Sequence, residues 1–180
     1  MDAKLKDFFD NVNSWVRFAE SKNAALVTFN SAASFGLASL LTSVKSVPST
    51  VRAYLCFCII VLAFGAIAGL ISFLPRLRVP CLFPKARTDE SDNLLFFGHA
   101  AKHTPESYLT AFSKLLGTEA GSFSSMQKTY AEQIVVNSQI ALYKYRWFAV
   151  GLWFTLTVLA TPIAPAVGLI IHLAYRRKSR

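Results

Sequence analysis

Polar side chains that could bind a small anionic ligand gather at the edges of long charge-free stretches. Lys22, Asn23 and Asn30 lie at the start of one such stretch. A second group precedes the last stretch and consists of Gln133, Asn137, Ser138, Gln139, Lys144, Tyr145 and Arg146. Lys and Arg side chains bind phosphate, amides read the edge of a nucleobase, and aromatic rings stack on its face. The pattern has two interpretations: a ligand pocket, or snorkelling lysines beside a solvated helix face. The spacing of Gln133, Asn137 and Lys144 places these three residues on one helical face.

Residues typical of catalytic or metal sites are sparse. His99 and His103 are four residues apart, which on a helix would place both imidazoles on one face. No acid or cysteine accompanies them as a further ligand, so we interpret them as solvated histidines and predict no metal site. The sequence contains no nucleophile elbow, metalloprotease motif or phosphate-binding loop. We therefore expect no catalytic residues, no enzyme activity and no resident cofactor.

Long charge-free stretches predict the elements that position these residues. Residues 53–75 carry no charge, and the main ionisable group of 147–175 is His172. Each stretch exceeds the roughly 20 residues that cross a bilayer as a helix. Residues 24–44 are also uncharged but richer in Ser, Thr and small side chains, which suit a helix packed on other membrane helices; a buried helix of a soluble core is the alternative. The sequence thus predicts an all-α integral membrane protein with about three transmembrane helices.

The spacing of apolar residues and the positions of helix-breaking residues predict that long helices continue beyond the membrane. Apolar residues at positions 5, 8, 9, 12, 15, 16 and 19 define one helical face, and no breaker separates it from 24–44. Thr104, Pro105 and Glu106 mark the start of a short helix that Gly117 ends. Another helix is predicted from Ser122 into the last apolar stretch. Together these helices would form a small cytosolic stalk.

The net charge of +9 collects at the edges of the apolar stretches. By the positive-inside rule, the segment 76–146 lies in the cytosol. We interpret the basic excess as lipid contact and not as a nucleic-acid surface, because no long basic stripe is present. If 147–175 crosses once with a kink at Pro162 and Pro165, the basic tail emerges on the far side; a re-entrant hairpin would return it to the cytosol. The kinked single crossing is the simpler interpretation.

The predicted organisation has five segments. They are a cytosolic amphipathic helix 1–23, two transmembrane helices with a short outer turn 24–75, a cytosolic helical region 76–146, a transmembrane segment 147–175 and a basic tail 176–180. No cleavable signal peptide is visible, because residues 1–20 alternate charges with aromatic side chains and lack a continuous apolar core. Cys56, Cys58 and Cys81 predict no disulfide framework.

Three stretches of the sequence carry a resemblance to a known family. They are FAESKNAALVTFN at 18–30, NLLFFG at 93–98 followed by PESYL at 105–109, and the segment 133–146. In this order and spacing the chain resembles the transmembrane effectors of Pycsar, a bacterial antiphage system that signals with cyclic pyrimidine mononucleotides. The sequence departs from the family pattern at His99, where an acid is expected more often, so no role is assigned to that position.

The resemblance implies a multi-pass protein of the bacterial inner membrane that senses cyclic UMP or cyclic CMP. It then impairs the membrane and stops phage spread by death or arrest of the infected cell. Carried over to this sequence, and with Asn137 added from the shared helical face, the implied ligand-binding residues are Lys22, Asn30, Phe97, Gly98, Gln133, Asn137, Ser138, Lys144 and Arg146.

The expected partners are the lipid bilayer, the cyclic nucleotide and further copies of the chain, which would pack through small residues of 31–39. Nucleotide binding would shift the population towards an assembly that leaks or deforms the bilayer. Two alternatives need no nucleotide. One is a constitutive, holin-like pore former, and the other is a membrane-anchored scaffold that recruits a soluble partner through 94–146.

Overall fold

The structure, a computed structural model, describes residues 1–43, 47–74, 87–89, 92–118, 122–162 and 175. Within these ranges the chain forms no strand, and its helices are α1 (Asp2–Ser43), α2 (Ser49–Ile71), α3 (Phe97–Ala100), α4 (Pro105–Leu115) and α5 (Ser125–Ala160). The predicted all-α class is therefore confirmed. Cys81, Pro165 and the basic tail 176–180, on which several predictions depend, lie outside the described residues.

The two longest helices follow from the absence of breakers. α1 is one continuous helix of 42 residues, as predicted for the apolar face near the N-terminus and the charge-free stretch that follows it. α5 has 36 residues and also runs without interruption into the last apolar stretch. Its start is fixed by reciprocal bonds, because Ser124 Oγ accepts from the backbone of Gln127 and Gln127 Oε1 accepts from the backbone of Ser124.

The predicted short helix is confirmed as α4. Thr104 Oγ1 accepts a hydrogen bond from the backbone of Ser107, and Ser107 Oγ accepts one from the backbone of Thr104. Pro105 occupies the first turn, where its missing N–H has no intrahelical partner to lose. The chain leaves the helix at Gly117, whose φ of 67° is a conformation that favours glycine.

The chain folds into two compact units. Unit 1 comprises Met1–Lys22 and Ser72–Arg146, and unit 2 comprises Asn23–Ile71 and Trp147–Arg180. In unit 1, the apolar face of α1 packs into one core with α4 and the first turns of α5. Its buried side chains include Leu5, Phe8, Val12, Leu94, Tyr108, Leu109, Phe112, Ala131 and Ile134. The α1 members are those whose spacing predicted the buried face.

α1 and α5 run parallel within unit 1, joined by a row of polar contacts that we call the polar seam. The pairs are Gln127 with Asp2 at 2.7 Å, Asn137 with Asn13 at 2.9 Å and Lys144 with Glu20 at 3.1 Å. Residue numbers rise together on both helices, and the two hydrogen-bonded pairs are 125 and 124 residues apart in sequence. A constant separation of this kind means that the helices share one direction.

In unit 2, two glycines allow α2 and α5 to approach closely. A Cβ added at Gly65 would lie 2.6 Å from Asn30 Nδ2 and 3.2 Å from the carbonyl oxygen of Gly151. A Cβ added at Gly151 would lie 2.9 Å from the carbonyl oxygen of Gly65. Asn30 from α1 is fully buried beside this contact, and its Oδ1 accepts a hydrogen bond from Thr155 Oγ1 at 2.9 Å. Small residues and interhelical hydrogen bonds of this kind stabilise helix packing in membranes.

By length and composition, α1 and α2 are able to cross a membrane. They correspond to the first two of the predicted spans. The part of α5 in unit 2 extends from Trp147 to Ala160, and its length of about 21 Å is shorter than the roughly 30 Å of hydrocarbon. α5 ends two residues before Pro162, where a helix cannot continue without losing a backbone hydrogen bond. Most of the remainder of the predicted third span lies outside the described residues.

We expect Gly151→Ala to destabilise unit 2 by about 1–3 kcal/mol, because the new methyl group would meet backbone atoms that cannot move independently. Thermal unfolding of the detergent-purified protein would measure the loss. Gly36→Ala is the matched control, since a Cβ at that position meets nothing within 4 Å. Equal melting temperatures for the two variants would contradict the close contact of α2 and α5.

Candidate functional site

Aromatic rings and one ammonium group converge near the end of unit 1. Trp15, Phe97 and Tyr145 lie with ring centroids 5.2 to 6.3 Å apart, and the rings of Phe97 and Tyr145 are stacked. Lys22 Nζ lies 4.6 Å from the ring centroid of Phe18 and 5.6 Å from that of Tyr145. We call these five residues the aromatic cluster. A cation against aromatic faces is the combination that can hold a phosphate group and stack a base.

Phe97 reaches the cluster on a short, internally bonded loop. α3 contains only Phe97–Ala100, and its geometry is fixed by Lys102 Nζ, which donates to Asp92 Oδ1 at 2.6 Å. The backbone N–H of Asn93 donates to His99 Nδ1 at 2.9 Å. His99 Nδ1 also lies 3.6 Å from Asp92 Oδ1.

Gly98 leaves space for a neighbouring ring. A Cβ at this position would collide with the ring of Phe96, whose centroid lies 4.7 Å from that of Phe97. The glycine therefore lets two consecutive aromatic residues pack against the same short helix. Gly98 thus contributes to the site by allowing these two rings to take their positions.

Tyr145 brings a buried hydroxyl group to the cluster. Burial raises the pKa of the Tyr145 phenol, so the side chain is neutral at physiological pH. Its hydroxyl is inaccessible to solvent and has no hydrogen-bond partner among the described residues. A polar ligand atom that entered the cluster would satisfy this group, whose desolvation is otherwise unfavourable.

Lys144 is adjacent to Tyr145 on α5 but makes a different set of contacts. Its ammonium lies 3.1 Å from Glu20 Oε1 and donates to the backbone carbonyl of Ser72 at 3.0 Å. The ring centroid of Phe73 lies 5.6 Å away. The pair belongs to the polar seam, so Lys144 contributes to the joining of α1 and α5.

A family model described as the Pycsar effector protein domain matches residues 4–172. The chain belongs to the Pycsar effector family. No curated protein and no solved structure matches it. The resemblance seen in the sequence is thus confirmed, and the protein is an antiphage effector with two helices able to cross a membrane.

The residues predicted to bind a ligand in this Pycsar effector occupy different surroundings. Lys22 and Phe97 meet in the aromatic cluster, while Asn137 and Lys144 belong to the polar seam. Asn30 lies in unit 2, where it bonds to Thr155. The remaining members of the predicted set in α5 are Gln133, which is exposed, Ser138, which is buried, and Arg146, which is half-buried.

Three residues around these groups were not predicted as ligand contacts. Trp15 was assigned to the apolar face of the amphipathic helix and Phe18 to a stretch that carries the family resemblance, yet with Lys22 they follow an i, i+3, i+7 pattern that places all three on one face. Glu20 gave no signal of its own, since an isolated acid on an amphipathic helix is ordinarily solvated. The spacing of Trp15, Phe18 and Lys22 was the available indication.

The two histidines do not form the helical pair that their spacing would allow. α3 ends at Ala100, so His103 lies beyond it, and its ring packs against Tyr108 with centroids 6.2 Å apart. Among the described residues no group of three or more His, Cys, Asp or Glu side chains could hold a metal ion.

The bond between Asp92 and Lys102 predicts a pH dependence for the loop that carries Phe97. The hydrogen bond from Lys102, followed by that from the Asp89 backbone, holds the pKa of Asp92 below its ordinary value. Stability from this carboxylate is therefore present at neutral pH and lost as the pH falls through the lowered pKa. We expect Asp92→Asn to melt below the wild type at neutral pH, with the difference shrinking in acid.

Thermal melts of the purified protein from about pH 7 to about pH 3 would measure this difference, because they span the range in which carboxylates take up protons. Asp10→Asn removes an exposed carboxylate from α1 and serves as the control. A difference between Asp92→Asn and the wild type that stays constant across the range would contradict the expectation.

Proposed function

We propose that this Pycsar effector is activated by a cyclic pyrimidine mononucleotide, cyclic UMP or cyclic CMP, and then impairs the bacterial inner membrane. The observation that carries the proposal is the aromatic cluster, in which the Lys22 ammonium lies against two of the four rings. Membership of the Pycsar effector family supports the antiphage role. The ligand, the membrane in which the protein resides and the consequence of activation are parts of this proposal.

The cluster has the chemistry that such a ligand needs. A cyclic mononucleotide carries one negative charge on its phosphate, which the Lys22 ammonium would bind. Its planar base would stack on the exposed ring of Phe18 or enter between the rings of Trp15 and Tyr145. The Tyr145 hydroxyl would then bond to a base or ribose oxygen. Lys22 has to leave the ring of Phe18 for the phosphate, so the bound state differs from the structure described here.

This difference is what allows a ligand to control the protein. A ligand shifts an equilibrium only by the difference in its affinity for the two states. Trp15, Phe18 and Lys22 belong to α1, Tyr145 belongs to α5, and Phe97 belongs to α3. A nucleotide that binds all three elements would favour an arrangement of α1 and α5 in which the base fits between them.

The proposed topology places the segment 76–146 in the cytosol, where the nucleotide is available. Its membrane-spanning segments would be those of 24–75 and 147–175, with the nucleotide meeting the chain close to the inner face of the bilayer. Activation would proceed through an assembly of several copies, in which the spans repack and the bilayer leaks or is deformed. We propose no enzymatic step.

The decisive experiment is a panel of cyclic mono-, di- and trinucleotides tested by thermal shift on the detergent-purified chain and by leakage of dye from liposomes. We expect one pyrimidine mononucleotide to raise the melting temperature and to cause leakage. Lys22→Gln should weaken binding by about 10- to 100-fold, because a charge-assisted hydrogen bond contributes roughly 1.5–3 kcal/mol. Lys4→Gln, an exposed lysine on the same helix, is the charge-matched control.

Three results would contradict the proposal. If Lys22→Gln and Lys4→Gln bound the nucleotide equally well, the phosphate would not bind at the aromatic cluster. Liposome leakage without any nucleotide would favour a constitutive, holin-like pore former. A stoichiometric soluble protein recovered on 94–146, with no response to nucleotides, would favour a membrane-anchored scaffold.

A further inference from the structure

Three segments of unit 1 meet at one ammonium group. Lys144 of α5 contacts Glu20 of α1 and the backbone carbonyl of Ser72, the first residue after α2. The side chain of Lys144 is only 10% exposed, whereas that of Glu20 is 45% exposed. We call Lys144, Glu20 and the Ser72 carbonyl the lysine node. Lys144 is 72 residues from Ser72 in sequence, and Glu20 lies still farther from it.

The charge of Lys144 makes the node sensitive to the loss of a single contact. A buried ammonium is tolerated when an opposite charge and hydrogen-bond acceptors surround it. If Glu20 moves away, Lys144 loses the full negative charge of its carboxylate, and the Ser72 carbonyl offers only a partial negative charge. Lys144 would then move towards water, and its bond to Ser72 would break as well. The two contacts are therefore expected to form and break together.

The node is close in sequence to the aromatic cluster. Glu20 lies between Phe18 and Lys22 on α1, and Lys144 immediately precedes Tyr145 on α5. Successive residues of a helix point about 100° apart, so cluster and node occupy different sides of the same helical turns. A rotation of these turns that admits a ligand between the rings would displace Glu20 and Lys144 as well.

We propose that the lysine node is an autoinhibitory contact that holds the effector in its resting state and that activation breaks it. In the resting state Lys144 ties α1 and the residue after α2 to α5. In the active state Glu20 and Lys144 are separated and the Ser72 carbonyl is released from Lys144. This inference rests on the proposed function only in using membrane leakage as the measure of activation.

The test uses variants that remove either side of the contact in the full-length chain. Glu20→Gln keeps an acceptor oxygen and removes the charge, and Lys144→Met keeps the length of the side chain and removes the ammonium. We expect each to raise leakage from liposomes without any nucleotide by about threefold to fivefold, the effect of removing an ion pair with one exposed partner from one of two states. The double variant should leak no more than either single variant, because both remove the same contact.

Glu132→Gln is the matched control, since it removes an exposed carboxylate from α5 of the same unit. The melting curve of each variant is recorded beside its leakage. Basal leakage equal to that of the wild type in Glu20→Gln and Lys144→Met would overturn the inference. So would additive effects in the double variant, or loss of cooperative melting in both single variants, which would make the contact a structural one.

Failure of this inference is distinguishable from failure of the proposed ligand. If no cyclic nucleotide acts on the wild type but Glu20→Gln leaks, the lysine node stands and the ligand assignment falls. If a pyrimidine mononucleotide activates the wild type and both single variants keep the wild-type basal leakage, the node falls and the ligand assignment stands.

Discussion

The parallel pairing of α1 and α5 is the constraint on which unit 1 depends. Two parallel helices cannot be joined by a short turn, because the chain must travel back along their length before the second helix begins. In sequence, α2, α3 and α4 lie between α1 and α5. The polar seam sets the register, since a shift by one residue would separate Asn13 from Asn137 and Glu20 from Lys144. Apolar packing alone would allow neighbouring registers.

This arrangement explains why aromatic and charged groups come together from distant parts of the sequence. Residues at corresponding positions of two parallel helices meet, as Glu20 and Lys144 do, and the side chains of Trp15 and Lys22 reach Tyr145 from different turns of α1. The intervening chain adds Phe97 to the first group and the Ser72 carbonyl to the second. The contacts of the site are therefore tertiary, and each depends on the register of the helix pair.

Much of the secondary structure could be predicted because it depends on local interactions. The cap at Thr104, the glycine at 117 and the unbroken apolar patterns act within a few residues, and they correctly indicated α1, α4 and α5. The hydrogen-bond partners of polar residues depend on which helices pack together, so they could not be inferred from the sequence. Asn30 was grouped with Lys22 because both lie at the start of an apolar stretch, yet it bonds to Thr155 beside the Gly65 and Gly151 contact. An amide has the same sequence signature whether it binds a ligand or a neighbouring helix.

The continuity of α1 has a mechanical consequence. Its backbone hydrogen bonds link every turn from Asp2 to Ser43, and no proline interrupts them. Neighbouring turns of such a helix move together, so a small rotation at one position also rotates the turns next to it. Within unit 1, Lys22 follows Trp15 by seven residues, or about 10 Å of rise. A rotation of α1 at Trp15 therefore also moves Phe18 and Lys22 in the aromatic cluster.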